Sequence, residues 1–187
     1  KDFFFIKYWY YNWKIINHVV HFHKHYNTYG VDENKLDLIF KAYDVRGVFN
    51  ETITPKVGFK IGAAFASYVD SKEIIVGHDG RISNNEMFAA ISSGIQSVNK
   101  QVMYVGMVPT DVVYTLSGIK NLPGLIITAS HNPKEYTGLK FCNSGAVAIG
   151  QETGLREIKN LVEKFNDDFN MSELPEMQTL NQLYLEH

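Results

Sequence analysis

The sequence predicts an α/β domain, a three-layer α/β/α arrangement in which a mixed, mostly parallel sheet is flanked by helices. From Leu36 onward, short apolar runs alternate with amphipathic helical patterns, the texture of strands and covering helices taking turns along a chain. The run Gly124 to Ala129 is apolar nearly throughout, and a strand without a polar face is one covered on both sides.

Each element has its own signal. Val57, Ile61, Ala64, Phe65 and Tyr68 recur at helical spacing behind Pro55, a residue suited to a first turn, so residues 55–69 are expected to form a helix. Residues 73–77 read as a buried strand. Ser83 and Glu86 make a Ser-x-x-Glu capping box ahead of the apolar face Phe88, Ile91, Ile95 and Val98, which predicts a second helix. Residues 101–106 form the next strand, Thr110 is expected to cap a short helix to about Gly118, and residues 124–129 are a third strand. Residues 139–142 add a further strand, and Leu155, Ile158, Leu161, Val162 and Phe165 mark a closing helix. Beyond Asn166 the chain turns polar, with Pro175 as a breaker and no second core.

A chain of 187 residues, 45% of them apolar, buries one ordinary core. Eighteen basic against twenty acidic residues give a formal charge of -2, which argues against a general nucleic-acid binder. The lone cysteine, Cys142, has no partner for an intrachain disulfide and implies a reducing compartment, so a cytoplasmic location is expected.

Residues 1–30 differ from the rest, holding 11 of the 25 aromatic side chains. Lys7, Asn12, Lys14 and Asn17 interrupt them well short of the ~18 apolar residues that span a membrane, and no small-residue cleavage site follows. A membrane-interface segment and a poorly specified extension, disordered or not native, stay open for residues 1–35, and the Asn, Lys, Ile, Phe and Tyr bias favours the second. His18, His21, His23 and His25 lack the spacing of a zinc site, so no metal is assigned to them.

Chemistry concentrates after the third strand, where the chain runs into Ser130-His131-Asn132-Pro133. Asn-Pro forces a turn directly behind a hydroxyl and an imidazole, at a strand end of the kind where open α/β sheets bind ligands. Lys134, Lys140 and Asn143 are near enough in sequence to gather round an anion. The segment lacks the Gly-x-Ser-x-Gly elbow of hydrolases, and no base is identifiable from spacing, which leaves a Ser-His-Asp esterase as a minor alternative.

Thr128-Ala129-Ser130-His131-Asn132-Pro133, followed by Tyr136, Gly138 and Lys140, closely resembles the active-site loop of the α-D-phosphohexomutases. Phe40-Lys41-Ala42-Tyr43-Asp44-Val45-Arg46-Gly47 resembles the segment that opens the first domain of these enzymes. Gly77-His78-Asp79-Gly80-Arg81 is similar to the family's Gly-x-Asp-x-Arg turn, and Val108-Pro109-Thr110 to a later loop. The likeness spans about residues 36–185. Thr153-Gly154-Leu155-Arg156 and the run from Lys134 to Gly138 look most like bacterial phosphomannomutases.

The resemblance implies a phosphoserine, Ser130, that gives its phosphoryl group to a hexose monophosphate and recovers one from the hexose 1,6-bisphosphate so formed. Arg46 is then expected to bind phosphate through its planar fork, and Lys140 to steady the phosphoryl oxygens and assist proton transfer. For His131 a substrate or phosphoryl contact and a loop-anchoring hydrogen bond both stay open. Tyr43 and Asn132 are expected to shape the pocket, and Asp79 and Arg81 to pair and fix a turn.

The family's Mg2+ is held by an Asp-Gly-Asp-Gly-Asp-Arg loop of a second domain, absent from this sequence, so the expected ligand here is a phosphate oxygen on Ser130. The domains implied are an extension at 1–35, phosphohexomutase domain 1 at 36–168 and a linker at 169–187 toward an absent second domain. Domains 2–4, in cis or in trans, are the expected partners. The chain alone is expected to be an inactive fragment prone to self-association, and the alternative is a non-catalytic sugar-phosphate-binding or phospho-acceptor module.

Overall fold

The alternation of side chains along each strand decides how the layers assemble. In the computed structural model, which describes residues 36–165, α1 (Leu36–Ile39) leads into β1 (Val45–Val48), α2 (Pro55–Tyr68), β2 (Glu73–His78), α3 (Asn84–Ser97), β3 (Gln101–Met107) and α4 (Thr110–Lys120). The chain continues through β4 (Gly124–Ile127), β5 (Tyr136–Asn143), the two-residue β6 (Val147–Ala148) and α5 (Leu155–Lys164). The expectations for residues 1–35 and 166–187 lie outside the described residues.

The sheet runs in the order β1-β5-β4-β2-β3, with β6 paired to the end of β5. β2 is parallel to β3 and β4, whereas β5 is antiparallel to β1, β4 and β6. β5 alone therefore runs against its neighbours, and the sheet is mixed but mostly parallel in strand direction, as the sequence predicted. On one face Ile75, Met103, Val105 and Ile126 pack with Val112, Val113 and Leu116 of α4. On the other, α2 packs against α3 and α5, and Phe65 of α2 meets Phe141 of β5 with ring centroids 5.0 Å apart. Full burial of such a side chain stabilises the fold by roughly 1.5–3 kcal/mol.

Two caps depart from expectation. Thr54 does cap α2, its hydroxyl accepting from Val57 N–H at 3.3 Å ahead of Pro55. Ser83, by contrast, has helical backbone angles (φ -75, ψ -12) and its side chain makes no cap bond, so the expected capping box does not form. The turn leading into α3 sets this geometry: Asn84 N–H donates to Arg81 C=O at 3.2 Å, and the Asn84 amide reaches back to Asp79. Thr110 is the first residue of α4 rather than its cap, a position taken by Pro109, whose carbonyl accepts from Val112 N–H. β5 begins three residues earlier than expected because β1, not foreseen as a strand, pairs with Tyr136 to Leu139.

The α2–α3 contact depends on glycine. A Cβ added at Gly94 would lie 2.0 Å from Phe59 O, and one at Gly62 would lie 2.3 Å from Ile91 O, so the two helix backbones touch where these side chains are missing. Gly118 of α4 is exposed and its added Cβ would come no closer than 3.8 Å to Ala146. Gly94→Ala is expected to destabilise the fold by about 3 kcal/mol through overpacking, whereas Gly118→Ala stabilises it by about 0.5–1 kcal/mol through helix propensity. Urea denaturation midpoints read both, and equal effects at the two sites would contradict the packing described.

Candidate active site

Parallel neighbours in a sheet deliver their carboxyl ends to the same edge, and β2 and β4 do so here. The two ends are tied together by Asp79 N–H, which donates to Ile127 O at 3.0 Å. From β4 the chain passes through the buried Thr128 and Ala129 to the exposed Ser130. Ser130 takes a left-handed backbone (φ 54), uncommon for a residue other than glycine and a form of strain concentrated at functional sites. Its N–H donates to Thr128 Oγ1 at 3.0 Å, and Asn132 N–H closes the turn on Ala129 C=O at 3.1 Å. The Ser130 hydroxyl stands 3.0 Å from Nδ1 of His131.

The turn after β2 holds this loop from outside. Arg81 Nη2 donates to Ser130 O at 2.7 Å and Asn132 O at 2.8 Å, and Nη1 to Pro133 O at 2.7 Å and Tyr136 O at 3.0 Å. Nε donates to Asp79 Oδ2 at 3.2 Å. All five N–H groups of the guanidinium are thereby used. Asp79 is fixed in turn: Oδ1 accepts from Arg81 N–H at 3.0 Å and from Asn84 Nδ2 at 2.8 Å. Its carbonyl accepts from Asn84 Nδ2 and from His78 Nδ1, both at 2.6 Å. His78 is buried against Phe88 and Tyr104; since Nδ1 carries the proton for the carbonyl, Nε2 accepts from the Tyr104 hydroxyl at 2.6 Å. The Asp79–Arg81 pair thus fixes a turn, as expected, and also reaches the serine loop.

A second group of charges adjoins the loop on the β1 and β5 side. Arg46 lies opposite Gly138 in the antiparallel β1–β5 register, and Lys140 stands two residues further along β5, on the same face. Arg46 Nη1 donates to Asn132 Oδ1 at 2.7 Å and Nη2 is paired with Asp44. Lys140 Nζ lies 3.5 Å from the same Asp44 oxygen. Two cations thus share one carboxylate that is only 10% exposed, leaving a net positive charge, and Arg46 Nε is buried without an acceptor. The absence of a side chain at Gly138 permits this approach, because a Cβ there would sit 2.6 Å from Val45 O and 2.8 Å from Thr128 O.

The structure brings Ser130, His131 and Asn132 together on the loop and joins Arg46 and Lys140 to it through Asn132 and Asp44. Tyr43 is 79% exposed and lies beside Gly150, with no hydrogen bond to the other candidates among the described residues. Lys134 is exposed on the loop. Asn143 does not join an anion site. β5 runs antiparallel to β4 and carries Asn143 to the far end, one residue past the Cys142–Gly124 pairing. Sequence reasoning gave no role to Asp44, which lies in the bend just before β1 and pairs with Arg46 two residues on.

Removing the shared carboxylate leaves two cations facing each other. Asp44→Asn is expected to cost about 2 kcal/mol of stability at low salt, and much of that loss is expected to disappear at 1 M salt, where the screening length shrinks to about 3 Å. Denaturation of the variant at the two salt concentrations reads this directly.

Residues 37–168 match the family described as phosphoglucomutase/phosphomannomutase, alpha/beta/alpha domain I. The chain is 36% identical over 125 residues to a phosphomannomutase of Salmonella montevideo, covering 66% of this chain and 27% of that protein. It is 42% identical over 106 residues to a phosphoglucosamine mutase of a Thermotoga species, covering 57% and 25% of the two chains. It therefore spans about a quarter of the length of these relatives. A crystal structure of a phosphoglucomutase/phosphomannomutase family protein from Burkholderia thailandensis aligns with a TM-score of 0.62 at 33% identity, over 67% of this chain and 30% of that one. The chain belongs to the phosphoglucomutase/phosphomannomutase family and carries its α/β/α domain I.

Proposed function

We propose that this chain is the phosphoserine-bearing domain of a phosphohexomutase, with Ser130 as the phosphoryl carrier between hexose 1-phosphate and hexose 6-phosphate. The observation that supports this reading is the junction at Asn132: the loop that exposes the Ser130 hydroxyl is hydrogen-bonded there to Arg46, whose carboxylate partner is shared with Lys140. A phosphoserine carries a charge of about -1.5 to -2 at neutral pH, and a positive cluster beside it favours the charged form at rest and during transfer.

In the transfer, the bond from Ser130 Oγ to phosphorus breaks as a sugar hydroxyl oxygen bonds to phosphorus. The sugar hydroxyl gives up its proton and Oγ gains one. Such a reaction depends on positioning and charge stabilisation more than on covalent assistance. Arg46 holds phosphoryl oxygens, Lys140 steadies them and assists the proton movement, and His131, 3.0 Å from Oγ, contacts the phosphoryl group. Asn132 and Tyr43 shape the pocket for the hexose phosphate.

Among the described residues no three His, Cys, Asp or Glu side chains cluster as a metal site, and Asp44 is already held by two cations. The fit to Mg2+ is therefore partial: these residues offer it only the phosphoryl oxygens of Ser130, and carboxylates of further mutase domains, in cis or in trans, complete its oxygen shell. When bound, the ion neutralises phosphoryl charge. Mannose phosphates are the favoured substrates and glucose phosphates next, with hexose 1,6-bisphosphate as activator, and sugar choice rests with a later domain. Among the described residues no helix is long and apolar enough to cross a membrane. The lone cysteine, Cys142, favours a reducing compartment, and on that ground we place the protein in the cytoplasm. The exposed Ile82 and Met107 favour self-association of the chain.

Incubation of the chain with Mg2+ and glucose 1,6-bisphosphate, followed by phosphosite mapping, is expected to place one phosphate on Ser130. The Ser130→Ala variant is expected to take none, and the loaded chain alone to interconvert no hexose phosphate. Phosphate at another residue, or none in a folded sample, would overturn the assignment.

A further inference from the structure

The hydrogen bonds from Arg81 to the serine loop do more than fix a turn. In a trans peptide the C=O and the following N–H point to opposite sides of the chain, and the described residues contain no cis bond. Arg81 draws the carbonyls of Ser130 and Pro133 to itself, which turns the amides of His131 and Lys134 away from it. Neither amide has a protein acceptor among the described residues. Amides turned outward from a left-handed residue, as Ser130 is (φ 54), form the kind of concavity that binds anions.

We infer that Arg81 is a positioning residue for the phosphoryl-carrying serine: it gathers the loop's carbonyls on one side so that the His131 and Lys134 amides are free to donate to a phosphoryl group on Ser130. The inference rests on the carrier role proposed above. Its strength lies in the saturation of the side chain, because a planar fork with five donors serves four carbonyls and Asp79 at once. Lysine would keep the charge, but its ammonium has three donors and cannot hold four carbonyls in that arrangement. Asp79, clamped by Asn84 and His78, keeps the fork from turning.

The test uses the full chain with phosphoserine installed at position 130 during synthesis, so that it does not depend on the chain's ability to load itself. A 31P NMR pH titration is recorded for this protein, for Arg81→Lys and for Lys159→Met, the last of which loses the ion pairs of Lys159 with Asp37 and Glu163. In the unsubstituted chain the second ionisation of the phosphoserine is expected to fall below its ordinary value near ~6, because amide donors and cations favour the dianion. In Arg81→Lys it is expected to rise by at least ~0.5 unit, about threefold in proton affinity, although the charge at position 81 is kept. Lys159→Met is expected to titrate like the unsubstituted chain.

Superimposable titrations of Arg81→Lys and the unsubstituted chain, both with native near-UV circular dichroism, would overturn the inference. A comparison free of variants covers the case in which Arg81→Lys fails to fold: phosphorylation of Ser130 is expected to move the amide proton resonances of His131 and Lys134 downfield, and unmoved resonances would overturn it equally. If Ser130 does not load from a bisphosphate, the carrier role fails while this titration, made on installed phosphoserine, is still read on its own terms.

Discussion

A guanidinium that spends all five N–H groups on one turn and one loop is a rigid connector, and Arg81 is that connector here. Four carbonyls of a short exposed loop would otherwise face water, and the loop would sample many conformations at a cost of about 1–2 kcal/mol for each residue ordered. Charge-assisted hydrogen bonds contribute more than neutral ones, so one half-buried side chain offsets much of that cost. The arrangement requires β2 and β4 to be parallel neighbours, since only then do the Asp79–Arg81 turn and the Ser130 loop emerge side by side. Tyr104, His78 and Asn84 extend the support back into the sheet and α3.

The charged side of the site depends on the strand that runs the other way. β5 returns directly from the loop alongside β4 and places Lys140 next to Ile126, while its first half receives β1 and so brings Arg46 into register with Gly138. Asp44 holds the two cations together. The site thus has a neutral hydroxyl on a left-handed loop residue and a positive pair on two other elements, joined through Asn132.

α2, α3 and α5 were legible in the sequence because their apolar residues recur with the helical period over ten residues or more, whereas the four-residue α1 carried no such signal. β1 was not: Val45-Arg46-Gly47-Val48 has neither length nor an unbroken apolar face, and it exists because β5 offers an edge. Strand direction was equally hidden, so Asn143, near Lys140 in sequence, was misplaced beside the serine. The capping box at Ser83 and Glu86 matched a pattern, but the turn through Asp79, Arg81 and Asn84 imposed a different backbone. Ser130 and Lys140 were singled out as candidates by the turn after the third strand as well as by motif resemblance, and Arg46 by resemblance alone. The reach of Arg81 across 49 residues to the Ser130 carbonyl has no local signature, since sequence places it only in a turn.

Native-state hydrogen exchange of the unmodified chain tests most directly whether the serine loop is held as described. The amides of Thr128, Ser130, Asn132 and Tyr136 donate within the protein, and local opening is expected to cost enough to slow their exchange by a factor on the order of a hundred or more. The amides of His131 and Lys134, facing away from Arg81, are expected to exchange near the rate of an unstructured peptide. That alternation inside one exposed loop is the predicted result, and uniformly fast exchange from residue 128 to residue 136 would contradict the account.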